Sequence, residues 1–202
     1  MTNPPSQTDV LGRIRVTMYR LFVAIDLPDQ VKKSLTEICF GLAGAKWVDE
    51  TQMHITLKFI GEVDGAVFRD ARGALASVQM EPFEVTIKGT GFFPPRGEPQ
   101  MLWAGVDGND RLIQLRNKVE STLVRAGLEN EKRKFAPHVG LAKIRGTPPG
   151  RLATYLSEYA LFRLPPFEVK EFCLFSSFLS SERAIHQIEA VYPLGTTQEQ
   201  KA

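Results

Sequence analysis

The feature that most constrains this chain is a repeat. His54 and His138 stand 84 residues apart (138 − 54), and Pro82-Phe83-Glu84-Val85 returns as Pro166-Phe167-Glu168-Val169 at the same offset (166 − 82 = 84). The apolar runs that begin at Phe22 and Trp103 lie at an offset of 81 (103 − 22), so a small length change separates them from the later landmarks. Two copies are too few for a solenoid and suit two lobes related by a pseudo-twofold. A chain of 202 residues, 43% hydrophobic and 24% charged, is long enough for one such globular pair.

Within the first copy, Leu21 to Ile25 is an apolar run of strand length that stops at Asp26-Leu27-Pro28. Val31, Leu35, Ile38 and Leu42 then recur at helical spacing, with Asp29 as the expected cap and Gly41 and Gly44 as the stop. The His54 strand follows, then a helix outlined by Val67, Ala71, Leu75 and Val78, then an alternating strand from Pro82 to Lys88. The unit is β-α-β-α-β. Gly89 to Gly97, rich in Gly, Pro and Phe, reads as a loop before the pattern restarts at Leu102 to Val106. In the second copy Asn109 or Asp110 caps a helix that ends at Gly127, the His138 strand comes next, and a helix runs from Pro148 to about Leu161. Strands are expected at Phe167 to Phe175 and Ile185 to Tyr192. Residues 1–17 and 195–202 read as flexible tails around a single unit at 18–194.

In His54-Ile55-Thr56-Leu57-Lys58-Phe59, strand alternation sets His54, Thr56 and Lys58 on one face and packs Ile55, Leu57 and Phe59 behind. An isolated His on such a strand is more often a hydrogen-bonded core residue. A repeat-matched pair argues instead for chemistry, with His54 and His138 converging from opposite walls of a cleft so that one gives a proton while the other takes one. Imidazole, with an unperturbed pKa of about 6.5, suits both roles near neutrality. Neither His stretch has the spacing of a metal site, and no Gly-x-Ser-x-Gly elbow or P-loop ending is present. Cys39 and Cys173, without a CxxC, fit a reducing, cytoplasmic setting. There is no apolar run of membrane-spanning length, and the N-terminus lacks the apolar segment of a secretory signal. A net charge of +2 is compatible with a small anionic site and too weak to argue for binding along a duplex.

The pair His54-Ile55-Thr56-Leu57 and His138-Val139-Gly140-Leu141 resembles the repeated His-x-Thr/Ser-x mark of the two-histidine (2H) phosphoesterases, in particular the RNA 2',3'-cyclic phosphodiesterase (2'-5' RNA ligase-like) branch. Arg20 to Pro28, Gly91-Phe92-Phe93-Pro94 and Leu102 to Val106 resemble further family segments in family order. The resemblance implies an α+β fold whose two lobes carry antiparallel sheets flanking a central cleft. It also implies hydrolysis of a 2',3'-cyclic phosphate on an RNA end or small nucleotide to a 2'-phosphate, with no cofactor or metal and no membrane partner. By that resemblance His54 is the proton donor and His138 the acceptor, in a chain expected to act as a monomer. Thr56, position 140, Lys143 and Phe135 are then the expected substrate contacts.

Gly140 departs from the pattern, removing one hydroxyl contact to phosphate. A catalytically weakened RNA- or nucleotide-binding module is therefore one alternative; an enzyme of the same superfamily acting on 2'-5' linkages is another, because recognition loops and not the two histidines choose the substrate. Lys143 has the opposite strand parity to His138, so it joins the cleft only if the strand bulges; otherwise it is a solvated edge residue. His186 reads as a surface-strand residue, with contact at the cleft rim as its other reading. Phe93 and Phe135 are candidates for stacking on a base, Trp47 for the core, and Lys132-Arg133-Lys134 for steering an RNA backbone.

Overall fold

A computed structural model describes residues 17–107, 110–179 and 184–195. The tails expected at 1–17 and 195–202 lie almost wholly outside these residues, as does Asn109. Strand β1 (Tyr19–Asp26) leads into α1 (Asp29–Thr36), β2 (Ala45–Trp47), a 3-10 turn at Glu50–Gln52 and β3 (His54–Val63). Helix α2 (Gly65–Leu75), β4 (Phe83–Val85) and β5 (Ile87–Phe93) complete the first copy. The second copy runs through β6 (Met101–Val106), α3 (Asp110–Arg125), β7 (His138–Ile144), α4 (Pro149–Glu158), β8 (Phe167–Val169) and β9 (Glu171–Leu179), followed by β10 (Ala184–Pro193).

Several boundaries differ from the sequence reading. Helix α1 stops at Thr36, and Pro28 rather than Asp29 holds its cap position without a side-chain hydrogen bond. Asp29 sits in the first turn, where a carboxylate favours the helix dipole. Helix α2 does have a side-chain cap: Asp64 accepts from the amides of Ala66 and Val67 at 2.8 and 2.9 Å. Each strand expected after the second helix of a copy is split in two, at Thr86 and at Lys170. The Gly-rich stretch from Gly89 is strand through Phe93, because it pairs along β6 as far as Phe93↔Met101.

Among the described residues the main sheet has eight strands, ordered β10-β9-β1-β3-β7-β6-β5, with β2 beside β7, while β4 and β8 form a separate ribbon. The register exposes the twofold directly. β3 meets β7 at Ile55↔Val139, and β4 meets β8 at Glu84↔Glu168. Each pairs a residue with its own repeat counterpart (139 − 55 = 84; 168 − 84 = 84), so both lie on the pseudo-twofold axis. One lobe is β10-β9-β1-β3 and the other is β5-β6-β7 with β2. The lobes are therefore related as expected, but each copy sends its last long strand across: β5 pairs with β6, and β9 pairs with β1. Neither copy can close its sheet without the other.

One face of the sheet is buried under the helices. Val31 and Leu35 of α1, Leu75 of α2, Leu115 and Val119 of α3 and Leu152 of α4 share one core with Ile55 and Val139, both 0% exposed. Burying a side chain of this size contributes about 1.5–3 kcal/mol. The opposite face is open, and carries only a small cluster of Phe22, Ala24, Cys173 and Phe175. Here the lobes differ in how they fill equivalent space. Phe22 stacks on Phe175 with ring centroids 5.0 Å apart. At the matching places the second lobe has Trp103 (22 + 81) and Gly91 (175 − 84), and a Cβ at Gly91 would run into Cη2 and Cζ2 of the indole. A large ring over no side chain replaces two medium rings. Gly91→Ala is expected to lower stability by about 1–3 kcal/mol through this overpacking and to change tryptophan fluorescence, measured by urea unfolding.

Candidate functional site: two histidines on adjacent strands

Both catalytic candidates lie on the open face, and the Ile55↔Val139 pairing fixes how they meet. In an antiparallel pair this register sets His54 across from Gly140 and His138 across from Thr56. The two His are then diagonal neighbours, a relation that separates positions by about 7–8 Å. One phosphate with a hydrogen bond on each side fills such a gap. The imidazoles therefore rise from neighbouring strands at the junction of the lobes, not from opposite walls, because the equivalent strands pair edge to edge.

Each ring is oriented in the same way. Nδ1 of His54 lies 2.7 Å from the Gln52 carbonyl oxygen, and Nδ1 of His138 lies 2.7 Å from that of Ala136. A carbonyl only accepts, so Nδ1 carries a proton in both rings and Nε2 is left for the cleft.

The rings have unlike neighbours. His54 is packed 4.8 Å from Phe22, 6.1 Å from Phe175 and, edge-on, 5.4 Å from His186. His138 has Phe93 at 5.0 Å and Trp103 at 6.4 Å. Burial is the main force that pulls the His54 pKa down to about 4, with His186 next; the Gln52 carbonyl and Asp26 oppose this, and His138 adds a further push downward.

A shared β-bulge decides which other residues join the face. Val23 pairs with Lys58 and Ala24 with Thr56, skipping Leu57; Leu102 pairs with Ala142 and Trp103 with Gly140, skipping Leu141. Leu57 and Leu141 are counterparts (141 − 57 = 84). The extra residue resets the alternation. Lys58, expected beside His54, is turned into the core and is 4% exposed, while Phe59 moves to the open face at 56%. In the second copy Ala142 is buried and Lys143 faces outward, on the side of His138 and Gly140. Lys46 stands across from it in β2.

Three further residues are now placed. His186, read as a surface-strand residue, lies in the cleft 4.9 Å from Phe22, because β10 joins β9 and not the outer edge of a separate lobe. Its lone position outside the repeat left no sequence signal. Phe135, read as a stacking residue, is half-buried against the main core, with the Arg116 guanidinium 5.8 Å from its ring centroid. Trp47 packs on the core near Tyr155 as expected. The Lys132-Arg133-Lys134 run is exposed, and Arg133 is already engaged by Glu131 at 2.7 Å.

The low pKa of His54 links the site to stability. Its unfolded value is about 6.5, so between pH 6.5 and about 4 the unfolded chain binds a proton that the folded one does not. That contribution is present above pH 6.5 and is lost as pH falls through the window. The full shift corresponds to roughly 3 kcal/mol, and the partial exposure of the ring reduces the expected loss to about 1–2 kcal/mol. Urea unfolding at pH 7 and pH 4.5 should show His54→Asn losing less stability than the parent by this amount; equal losses would remove His54 as the source.

Comparison with known proteins identifies the family of the chain. The model of the family described as LigT like Phosphoesterase matches twice, at residues 25–103 and 105–186, once for each copy. A protein of Thermotoga maritima named RNA 2',3'-cyclic phosphodiesterase is 33% identical over 177 residues, covering 84% of this chain and 92% of its own length. A protein of the same name from Archaeoglobus fulgidus is 30% identical over 171 residues, covering 83% and 96%. Among solved structures, E. coli LigT complexed with 3'-AMP superposes with a TM-score of 0.71 at 23% identity, over 89% of this chain and 100% of that one, a likeness of fold. With both copies matched and the fold shared, the chain belongs to the LigT-like phosphoesterases, within the two-histidine superfamily.

Proposed function

We propose that this chain hydrolyses 2',3'-cyclic phosphates at RNA ends or on small nucleotides to 2'-phosphates, using two imidazoles and no metal. The observation that carries this reading is the diagonal pair His54 and His138, each with Nδ1 held by a backbone carbonyl and Nε2 turned to the cleft. Nε2 of His138 takes a proton from water as its oxygen attacks phosphorus. Nε2 of His54 gives its proton to O3' as the P–O3' bond breaks, leaving a 2'-phosphate and a 3'-hydroxyl. The Thr56 hydroxyl and the Lys143 ammonium support the nonbridging oxygens. Similarity to the curated phosphodiesterases over most of both chains supports the substrate class. All these groups come from one chain, which suits a monomer built on residues 18–194. Free thiols at Cys39 and Cys173 fit a cytoplasmic setting. No helix among the described residues is long and apolar enough to cross a membrane.

Because burial disfavours the His54 cation in the unliganded site, the substrate anion is what makes the acid form accessible. The same low pKa favours a second reading, in which His54 is the base and His138 the acid. Turnover of a nucleoside 2',3'-cyclic phosphate in EDTA should fall at least about 100-fold on replacing either His with Ala. A phosphodiester with a nitrophenolate leaving group needs no acid. The His whose loss it tolerates is the acid; retained activity in both variants, or abolition by EDTA, sinks the mechanism.

Gly140 gives the second test. A Cβ there would meet nothing within 4 Å, so the β-carbon of Gly140→Thr enters open space. Its hydroxyl would face His54 as Thr56 faces His138. A hydrogen bond to a charged phosphate is worth about 1.5–3 kcal/mol, roughly 10- to 100-fold in kcat/KM. Nucleotide binding without turnover in both parent and Gly140→Thr would favour a binding module instead.

A further inference from the structure

The carbonyls that orient the two catalytic rings are secured by unlike devices. Gln52, which holds His54, hydrogen bonds through its side-chain amide to the Ala184 carbonyl on β10. Ala136, which holds His138, lies near the end of a twelve-residue connection at 126–137 without helix or strand. A connection that long places its ends loosely unless it is tied down.

The ties converge on Glu120. Lys58, four residues beyond His54 on β3, donates to Glu120 Oε1 at 2.8 Å and to the Glu129 carbonyl at 2.8 Å. The same carboxylate oxygen accepts the Glu131 amide at 2.8 Å. Glu120 Oε2 lies 3.5 Å from Arg116 Nη2, and the Arg116 guanidinium sits 5.8 Å from the Phe135 ring centroid. Phe135 immediately precedes Ala136. Contacts therefore run unbroken from the strand of His54, through α3, to the carbonyl that fixes His138. In the other copy the place of Lys58 is taken by buried Ala142 (58 + 84 = 142), so the device is built once.

We propose that Lys58, Glu120, Arg116 and Phe135 form a positioning relay that sets the orientation of His138 from the strand that carries His54; its kinetic consequence rests on the phosphodiesterase reading. Apolar residues would fill the same space, but a hydrogen-bonded ion pair also fixes direction and spacing. Two rings serving one phosphate need that, since a misplacement of about 1 Å costs on the order of 100-fold in rate.

The test uses Phe135→Leu and the double variant Lys58→Met/Glu120→Gln, which removes both charges of the Lys58–Glu120 pair together, leaves Arg116 as the cation without its carboxylate, and keeps an acceptor for the Glu131 amide. Both should lose about 10- to 100-fold in kcat with KM within about twofold. Nitrogen NMR of the His138 ring should depart from the Nδ1-protonated pattern. If Phe135→Leu raises KM at constant kcat, the ring meets substrate and the relay is wrong. Unchanged kcat and unchanged ring signals in a stable double variant would likewise overturn it. Should the parent turn over no cyclic phosphate, the functional reading fails, while the ring signals still decide the relay.

Discussion

The rest of the structure depends on one short contact, the pairing of Ile55 with Val139 on the pseudo-twofold axis. It joins two half-sheets into one and buries both side chains completely. It also sets the spacing of the site, because the histidines immediately precede the paired residues on antiparallel strands. A slip of one residue between these strands would leave one imidazole on the open face and turn the other to the core face, since strand side chains alternate with period two. Burial of Ile55 and Val139 beneath the helices therefore enforces the register of the two histidines.

The strand exchange between copies serves the same end. With β9 beside β1 and β5 beside β6, neither lobe is complete without a strand from the other copy. The β4–β8 ribbon places a second pair of counterparts, Glu84 and Glu168, on the axis. Relative motion of the lobes is thus restrained at two points. Within that symmetric frame the environments of the rings diverge: one is enclosed by Phe22, Phe175 and His186, the other flanked by Phe93 and Trp103. Unlike settings let two imidazoles of equivalent origin differ in their chemistry, which strict symmetry would deny them.

Much of the fold was legible in the chain because the repeat offset marks equivalent positions without knowledge of any contact. The offset singles out His54 and His138, and Thr56 follows from strand alternation and the His-x-Thr-x motif; the structure sets all three on adjacent strands. Lys58, Lys143, Phe135 and His186 were not settled, each for a physical reason. Alternation predicts facing only while a strand is regular, and the bulges at Leu57 and Leu141 reverse it for Lys58 and admit Lys143. Phe135 is engaged by Arg116 from a helix nineteen residues earlier (135 − 116), a contact that no local pattern announces. His186 reaches His54 only because β10 attaches to the lobe containing β1.

The sequence by itself determined the duplication, the alternating secondary structure and the two histidines, since these are written in spacing and periodicity along the chain. Tertiary structure alone decided which strands cross between copies, how the paired motifs register, which lysine is buried against Glu120 and which third histidine enters the cleft. Those outcomes depend on hydrogen-bond ladders and packing between residues far apart in sequence, where a single extra residue in a bulge changes which side of the sheet a charge occupies.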